Sequence, residues 1–297
     1  MTAYAILVGF CVGLAGWAWA HSDFGLFGSK ERDCVVAIRD GASPTEPACL
    51  AAERQGSARA AFLRASAGLS DSGLELAAEE GLAPALTVRA LPALRRGDAS
   101  FDERADAVAD LRTAAGDGYA PAQLWLAVVL LEGEAGPGRA PEAADLLNRA
   151  AFQGSADAQF LLAGLYRTGR GVIADRQRMR DLYLEAAQRG HAAAAFNLAA
   201  DLYDLGQRDR ARRWVRRSAA GGFAPALAAM ATFAERDGDL PAAAVYHGLA
   251  ARFSAGQTAK DAQAASTFLM STLDEADCAF VRRRVAELEG AIRAGST

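Results

Sequence analysis

The stretch from Ala150 to Gly190, AAFQGSADAQFLLAGLYRTGRGVIADRQRMRDLYLEAAQRG, decides the fold. Its first part, Ala158 to Tyr166, sets apolar residues around more than one face of a helix. Arg167 to Ala174 then breaks that pattern with two glycines. Asp175 follows where an N-cap carboxylate accepts the free amide hydrogens of a second helix. That helix carries Leu182, Tyr183, Ala186 and Ala187 at helical spacing and stops at Gly190, a residue suited to a left-handed helix end. One helical hairpin fills the interval between Gly154 and Gly190.

The interval recurs. Gly81, Gly118, Gly154, Gly190 and Gly222 stand 37, 36, 36 and 32 residues apart. Four residues before each lies Ala77, Ala114, Ala150, Ala186 or Ser218, and four after lies Ala85, Ala122, Ala158, Ala194 or Ala226. Self-similarity at this period means stacked hairpins rather than one enzyme core. Methyl side chains at fixed positions let helices cross closely, and Leu126, Leu162, Leu198 and Met230, one turn further on, are expected to form an inner seam.

The frame frays at both ends. Pro92 falls inside the helix after Gly81 and predicts a kink or an early stop. Ala51, Ala52, Gly56 and Ala60 trace a capping unit with a truncated second half. After Gly222, Ser254 and Thr258 replace the glycine and the alanine. Leu273 to Arg293 reads as a capping helix with Glu275, Arg282, Arg283, Arg284, Glu287 and Glu289 on its outer face.

Gly169-x-Gly171-Val172-x-x-Asp175 and Leu182-Tyr183-x-x-Ala186-Ala187-x-x-Gly190-His191-Ala192, continued by Asn197 and Leu198, resemble a Sel1-like repeat, a relative of the tetratricopeptide repeats. The units beginning near Ala114, Ala150 and Ala186 carry the likeness. The glycine loop is missing after Ala194, where Tyr203 to Asp209 makes a shorter connection. Met179 stands where the family has alanine, so looser packing is expected there. The resemblance implies an all-α solenoid of about six helix-turn-helix units in a right-handed superhelix. It also implies work as a bacterial adaptor or regulator outside the cytoplasmic membrane. The expected organisation is an N-terminal anchor or uncleaved signal (1–22), a linker with degenerate capping helices (23–76), the repeats (77–258) and C-terminal capping helices (259–297).

Ala3 to Ala20 holds no charge, and as a helix its eighteen residues reach about 27 Å, enough to cross a bilayer core. Tyr4 lies at one end and Trp17 and Trp19 at the other, as interfacial aromatics do. Ala5, Gly9 and Gly13 make a small-residue ridge for close approach of another membrane helix. Ala18-Trp19-Ala20 also has the form of a signal-peptidase site, so a cleaved leader is the competing reading. Lys30, Arg32 and Arg39 follow the segment, which by the positive-inside rule puts the repeats in the cytoplasm. Cys34 and Cys49 argue the other way. A disulfide between them would close a loop of about fifteen residues, worth ~3 kcal/mol, and would imply an oxidising compartment. Two unpaired core cysteines are the alternative. The resemblance and these cysteines together favour a single-pass protein of a bacterial inner membrane with its repeats in the periplasm.

No catalytic constellation is legible. His21, His191 and His247 have no partner at zinc spacing, and C-x-x-C, phosphate-loop and nucleophile-elbow motifs are missing. Neither an enzyme, a cofactor, a metal nor a small-molecule substrate is expected. A net charge of −4 gives no support for nucleic-acid binding. The charge is nevertheless polarised. Residues 71–145 hold 14 acidic and 6 basic side chains, net −8, whereas 167–217 hold 6 acidic and 12 basic, net +6. Arg208, Arg212, Arg213, Arg216 and Arg217 form the densest cluster, a docking patch for an acidic protein or anionic headgroups. The function expected is a membrane-anchored scaffold or assembly subunit for a membrane-associated protein complex. A soluble periplasmic regulator of a sensor protein and an envelope-polymer accessory factor are the alternatives.

Overall fold

A computed structural model describes residue 34 and residues 47–68, 72–132 and 138–295. Fifteen helices and no strand occur among them. By internal contacts the chain divides into Met1–Gln153 and Gly154–Thr297. The first unit holds α1 (Pro47–Arg54), α2 (Ala58–Ser66), α3 (Gly73–Glu79), α4 (Ala83–Arg95), α5 (Phe101–Gly116), α6 (Ala120–Glu132) and α7 (Ala140–Phe152). The second holds α8 (Ala156–Thr168), α9 (Arg176–Gln188), α10 (Ala192–Asp204), α11 (Arg208–Ala220), α12 (Ala224–Asp237), α13 (Leu240–Phe253), α14 (Gly256–Thr272) and α15 (Glu275–Gly295). Pairing α2 with α3, α4 with α5 and so on to α12 with α13 gives six hairpins. The first of them ends in the seven-residue α3.

The spaced glycines close these hairpins. All five have positive φ, from +75° at Gly222 to +95° at Gly190, where an L side chain is strained. Around four of them the residue after the glycine donates its N–H to the carbonyl five positions back. Leu82 reaches Ala77 at 2.9 Å, Tyr119 reaches Ala114 at 3.1 Å, His191 reaches Ala186 at 3.0 Å and Phe223 reaches Ser218 at 3.3 Å. This is the Schellman closure of a helix C-terminus. Gly56 repeats it, with φ +83° and Ser57 donating to Ala52 at 3.0 Å, so α1 and α2 join by the same turn. The residue four before the glycine thus has two tasks: its carbonyl closes the turn, and its small side chain lets helices cross. All ten flanking alanines and serine are 0 % exposed.

Leu126, Leu162 and Leu198 are buried as well, whereas Met230 is half-buried beside the second unit's core. Asp175 caps α9, its Oδ1 accepting from the amides of Gln177 and Arg178 at 2.9 and 3.0 Å. The shorter link after α10 turns on Gly206 at φ +73°.

Three expectations need correction, and one departure gains its reason. Helix α4 runs its full thirteen residues through Pro92, so the proline does not shorten it. Met179 is buried, 4 % exposed, within the second unit's core, and the thioether occupies the space an alanine would leave. Ser254 replaces the glycine because no left-handed turn occurs there: its φ is −108° and the chain leaves α13 extended. Glu289 is not on an outer face; it turns toward α13, ion-paired with Arg252 and with Arg293. Helix α15 packs on α13 through Val281, Val285 and Ile292. No helix among the described residues is long and apolar enough to cross a membrane, and residues 3–20, with Ala5, Gly9 and Gly13, lie outside them.

Candidate functional site

Cys34 and Cys49 are joined as a disulfide, with both side chains fully buried against Ala52 and Ala60. The bond ties residue 34 to α1. Cys278 is free and half-buried, and its thiol donates to the Met270 carbonyl. The histidines described are structural: His191 stacks on Phe160 at 4.5 Å and its Nδ1 accepts from Ala194, while His247 meets Glu235 at 2.9 Å.

The arginines of α11 separate into two groups. Ala211, Val215, Ser218 and Ala219 bury one face of this helix, and the arginines fill the rest of its circumference. Arg212 is engaged, 3.4 Å from Asp237 on α12 and over the Phe233 ring at 4.8 Å. Arg208 lies over Tyr203, and Arg217 lies over Trp214 and donates to the Gln188 carbonyl at 3.0 Å. Trp214 itself packs half-buried on the core. Arg213 and Arg216 are exposed, and no ion pair to either is seen among the described residues. The expected patch therefore reduces to two available guanidinium groups flanked by three anchored ones.

A second feature escaped the sequence reading. A cleft of ≈ 640 Å³ opens between α8 and α10, with α9 as its floor. Tyr166 and Arg167 line one wall, Asn197, Asp201 and Asp204 the other, and Met179 and Tyr183 the base. Three of these residues differ from their counterparts in the other units of this chain. Seven positions after the glycine the other repeats have Val88, Trp125, Leu161 and Ala229, but α10 has Asn197. Eleven after, Pro92, Val129, Leu165 and Phe233 are answered by Asp201; seven before, Leu74, Leu111, Leu147 and Val215 are answered by Tyr183. The polar substitutions converge. Asn197 donates to the Tyr183 hydroxyl at 3.3 Å. Asp201, 6 % exposed, accepts from Arg176 Nε and Arg180 Nε, both at 2.7 Å. Burial pushes its carboxyl pKa up, but the bonds from Arg180 and Arg176 outweigh that and hold it below the ordinary aspartate range. Superposing the repeats, rather than searching for a catalytic motif, is the signal that would have found the trio.

Comparison with known proteins places the fold. No family model matches the sequence, and no curated protein matches it either. Among solved structures, a Sel1 repeat protein from Oxalobacter formigenes superposes with a TM-score of 0.55 at 20% identity, covering 82% of this chain and 97% of that one. The protein c5321, a protective antigen of uropathogenic Escherichia coli strains with an SLR fold, gives 0.56 at 18% identity over 90% of this chain. This chain spans 62% of that antigen. At such identities the likeness is one of fold: the chain shares the α-solenoid fold of these Sel1 repeat proteins.

Proposed function

We propose that this chain is a non-catalytic, membrane-anchored scaffold that holds a partner protein complex through its repeat surface. The carrying observation is the exposed pair Arg213 and Arg216 on α11, whose charge no neighbouring side chain is seen to neutralise. An acidic protein surface is its complement, and such charge guides encounter as well as affinity. Residues 3–20 supply the anchor in this reading, and confinement to the bilayer plane raises the effective concentration of a membrane-embedded partner. The Cys34–Cys49 bond favours an oxidising compartment, hence the periplasmic side of a bacterial inner membrane.

The test is purification of the full-length protein from its native membrane in mild detergent, with mass spectrometry of what co-elutes. A stoichiometric integral-membrane complex is expected, and its loss when Arg213 and Arg216 are changed to Glu. The same complex recovered undiminished with the charge-reversed protein sinks the patch. The Ala18-Trp19-Ala20 motif favours a second reading, a soluble periplasmic regulator of a sensor protein. Intact mass lacking the first eighteen or twenty residues establishes that reading in place of the anchor.

A further inference from the structure

The exposed apolar side chains of the second unit are not scattered. Six large ones stand in solvent there: Ile173, Tyr203, Leu205, Leu240, Phe268 and Phe280. Ile173, 90% exposed, lies in the loop between α8 and α9. Tyr203 and Leu205 close α10 before the turn into α11, and Leu240 opens α13 directly after the turn from α12. These connections are the loops inside three successive hairpins, so they line one edge of the stack.

The capping helices bring the two phenylalanines to that same edge. Ser266 donates to the Ala244 carbonyl at 2.9 Å, and Ala259 lines one groove with Ala251. Helix α14 therefore runs antiparallel to α13, and Phe268, two residues beyond Ser266, is level with the first turn of α13. Helix α15 runs parallel to α13. A methyl group on Gly248 would lie 3.3 Å from Val285, and one turn later Glu289 pairs with Arg252. Phe280, five residues before Val285, is thus level with the same first turn. The opposite edge is made by the turns at Gly190 and Gly222 and the link at Ser254. It exposes no large apolar side chain among the described residues.

Single exposed apolar residues are ordinary on a protein surface, but six confined to one edge mark an interaction surface. Spacing and charge decide its partner. Packed helices stand about 8–10 Å apart, so the tips of successive hairpins are separated by at least a helix width. Charged side chains fill the intervals: residues 167–178, 203–210 and 235–241 hold seven basic and six acidic ones between them. A protein interface buries a contiguous centre depleted in charge, which this edge does not offer. Isolated apolar points among balanced charges match a bilayer interface, where hydrocarbon, headgroups and water meet within a few ångströms. Arg208 over the Tyr203 ring at 5.7 Å is an amphipathic pair of the kind that sits at that depth. Because the opposite charges nearly cancel, insertion of the tips, rather than attraction to anionic lipid, holds the surface.

We propose that this edge of the second unit rests on the bilayer interface, with Ile173, Leu205, Leu240 and the two phenylalanines dipping into it. The inference rests on the membrane-anchored reading and deepens it by giving the repeats a fixed face toward lipid. From residue 20 to residue 34 the chain spans at most about 50 Å when fully extended. An anchor at residues 3–20 therefore holds Cys34, and α1 bonded to it, within that distance of the bilayer.

The test uses the full-length protein in phosphatidylcholine liposomes, with one NBD fluorophore on an introduced cysteine. Cys11→Ser and Cys278→Ser remove the unbonded thiols and leave the Cys34–Cys49 bond. Ile173→Cys and Leu205→Cys report the edge, and either suffices where the other folds poorly by circular dichroism. Gln188→Cys, exposed beside the Gly190 turn, reports the opposite edge. Lipids carrying a doxyl group on the acyl chain quench a fluorophore only inside the bilayer. Quenching of at least ~2-fold is expected at 173 and 205, unchanged in about 0.5 M salt, with none at 188. Edge labels quenched no more than the label at 188 overturn the proposal. So do edge labels that only a co-purified protein complex shields from aqueous iodide. Intact mass separates this failure from failure of the anchor. Protein that retains residues 1–20 and is unquenched at 173 keeps the anchor and loses the edge. Protein cut after Ala18 or Ala20 that is quenched at 173 all the same keeps the edge and loses the anchor.

Discussion

Gln153 Nε2 donates to Gln123 Oε1 at 3.0 Å, and that bond satisfies a side chain only 1% exposed. Gln159 occupies the matching place one repeat later, five residues after its glycine. Its Nε2 reaches Glu185 at 2.8 Å, but its buried Oε1 has no partner. The residue that corresponds to Gln153 is Arg189, whose guanidinium stands over Gly154 instead. Arg189→Gln should transplant the missing donor and stabilise the protein by about 1 kcal/mol, since an unmet buried acceptor costs at least that. Urea denaturation measures it. A variant less stable than the wild type refutes the transplant.

The glycine turns are not equivalent under substitution. At Gly118 a methyl group would meet nothing within 4 Å, so Gly118→Ala pays only for its left-handed backbone, about 1 kcal/mol. At Gly222 the same methyl would lie 2.6 Å from Ile292 Cγ2 and 3.3 Å from the Phe253 ring, a clash added to the strain. Gly222→Ala should therefore lower the melting temperature more than Gly118→Ala. Equal shifts, read side by side by circular dichroism, disprove the packing of α15 against that turn.

Asp201 ties stability to acid. Its folded pKa lies below the ordinary value, so it contributes stability above the unfolded value of ~3.9 and loses it as pH falls through the folded one. Asp201→Asn should cost about 2 kcal/mol at neutral pH, less than a fully buried pair because Arg176 is largely exposed. The gap between the two proteins should narrow toward pH 2–3. A gap that stays constant from pH 7 to 2.5 contradicts the ion triad.

Thiol counting checks the cysteines. The sequence contains four. With Cys34 and Cys49 bonded, alkylation of the unfolded, unreduced protein should add two groups, at Cys11 and Cys278, and reduction should raise this to four. Four additions without reductant exclude the bond.

The alanine–glycine frame was legible because it is steric. A left-handed turn and a close helix crossing each admit few residue types, so Gly190 and Ala186 announce their places without knowledge of neighbours. Ser254 was legible as a departure for the same reason, although what replaces the turn was not. Side-chain pairing was hidden. Arg212 and Asp237 lie 25 positions apart and meet only because α11 packs on α12. The sequence could not tell an engaged arginine from a free one, and it placed Glu289 outside when two arginines hold it within. Tyr183 and Asn197 were read as positions of the repeat motif and Asp201 was passed over, because their pairing has meaning only once α9 and α10 bring them to one cleft.

Turns that close over five residues make the interior repeats exchangeable modules for the gene that encodes them. A duplication running from Gly169 to Asp204 would rejoin helix ends of the same kind and so lengthen the array without disturbing its neighbours. It would also copy Arg176, Tyr183, Asn197 and Asp201 together. Such an event would therefore double the cleft and its polar side chains in one step, and it needs no new residue to do so.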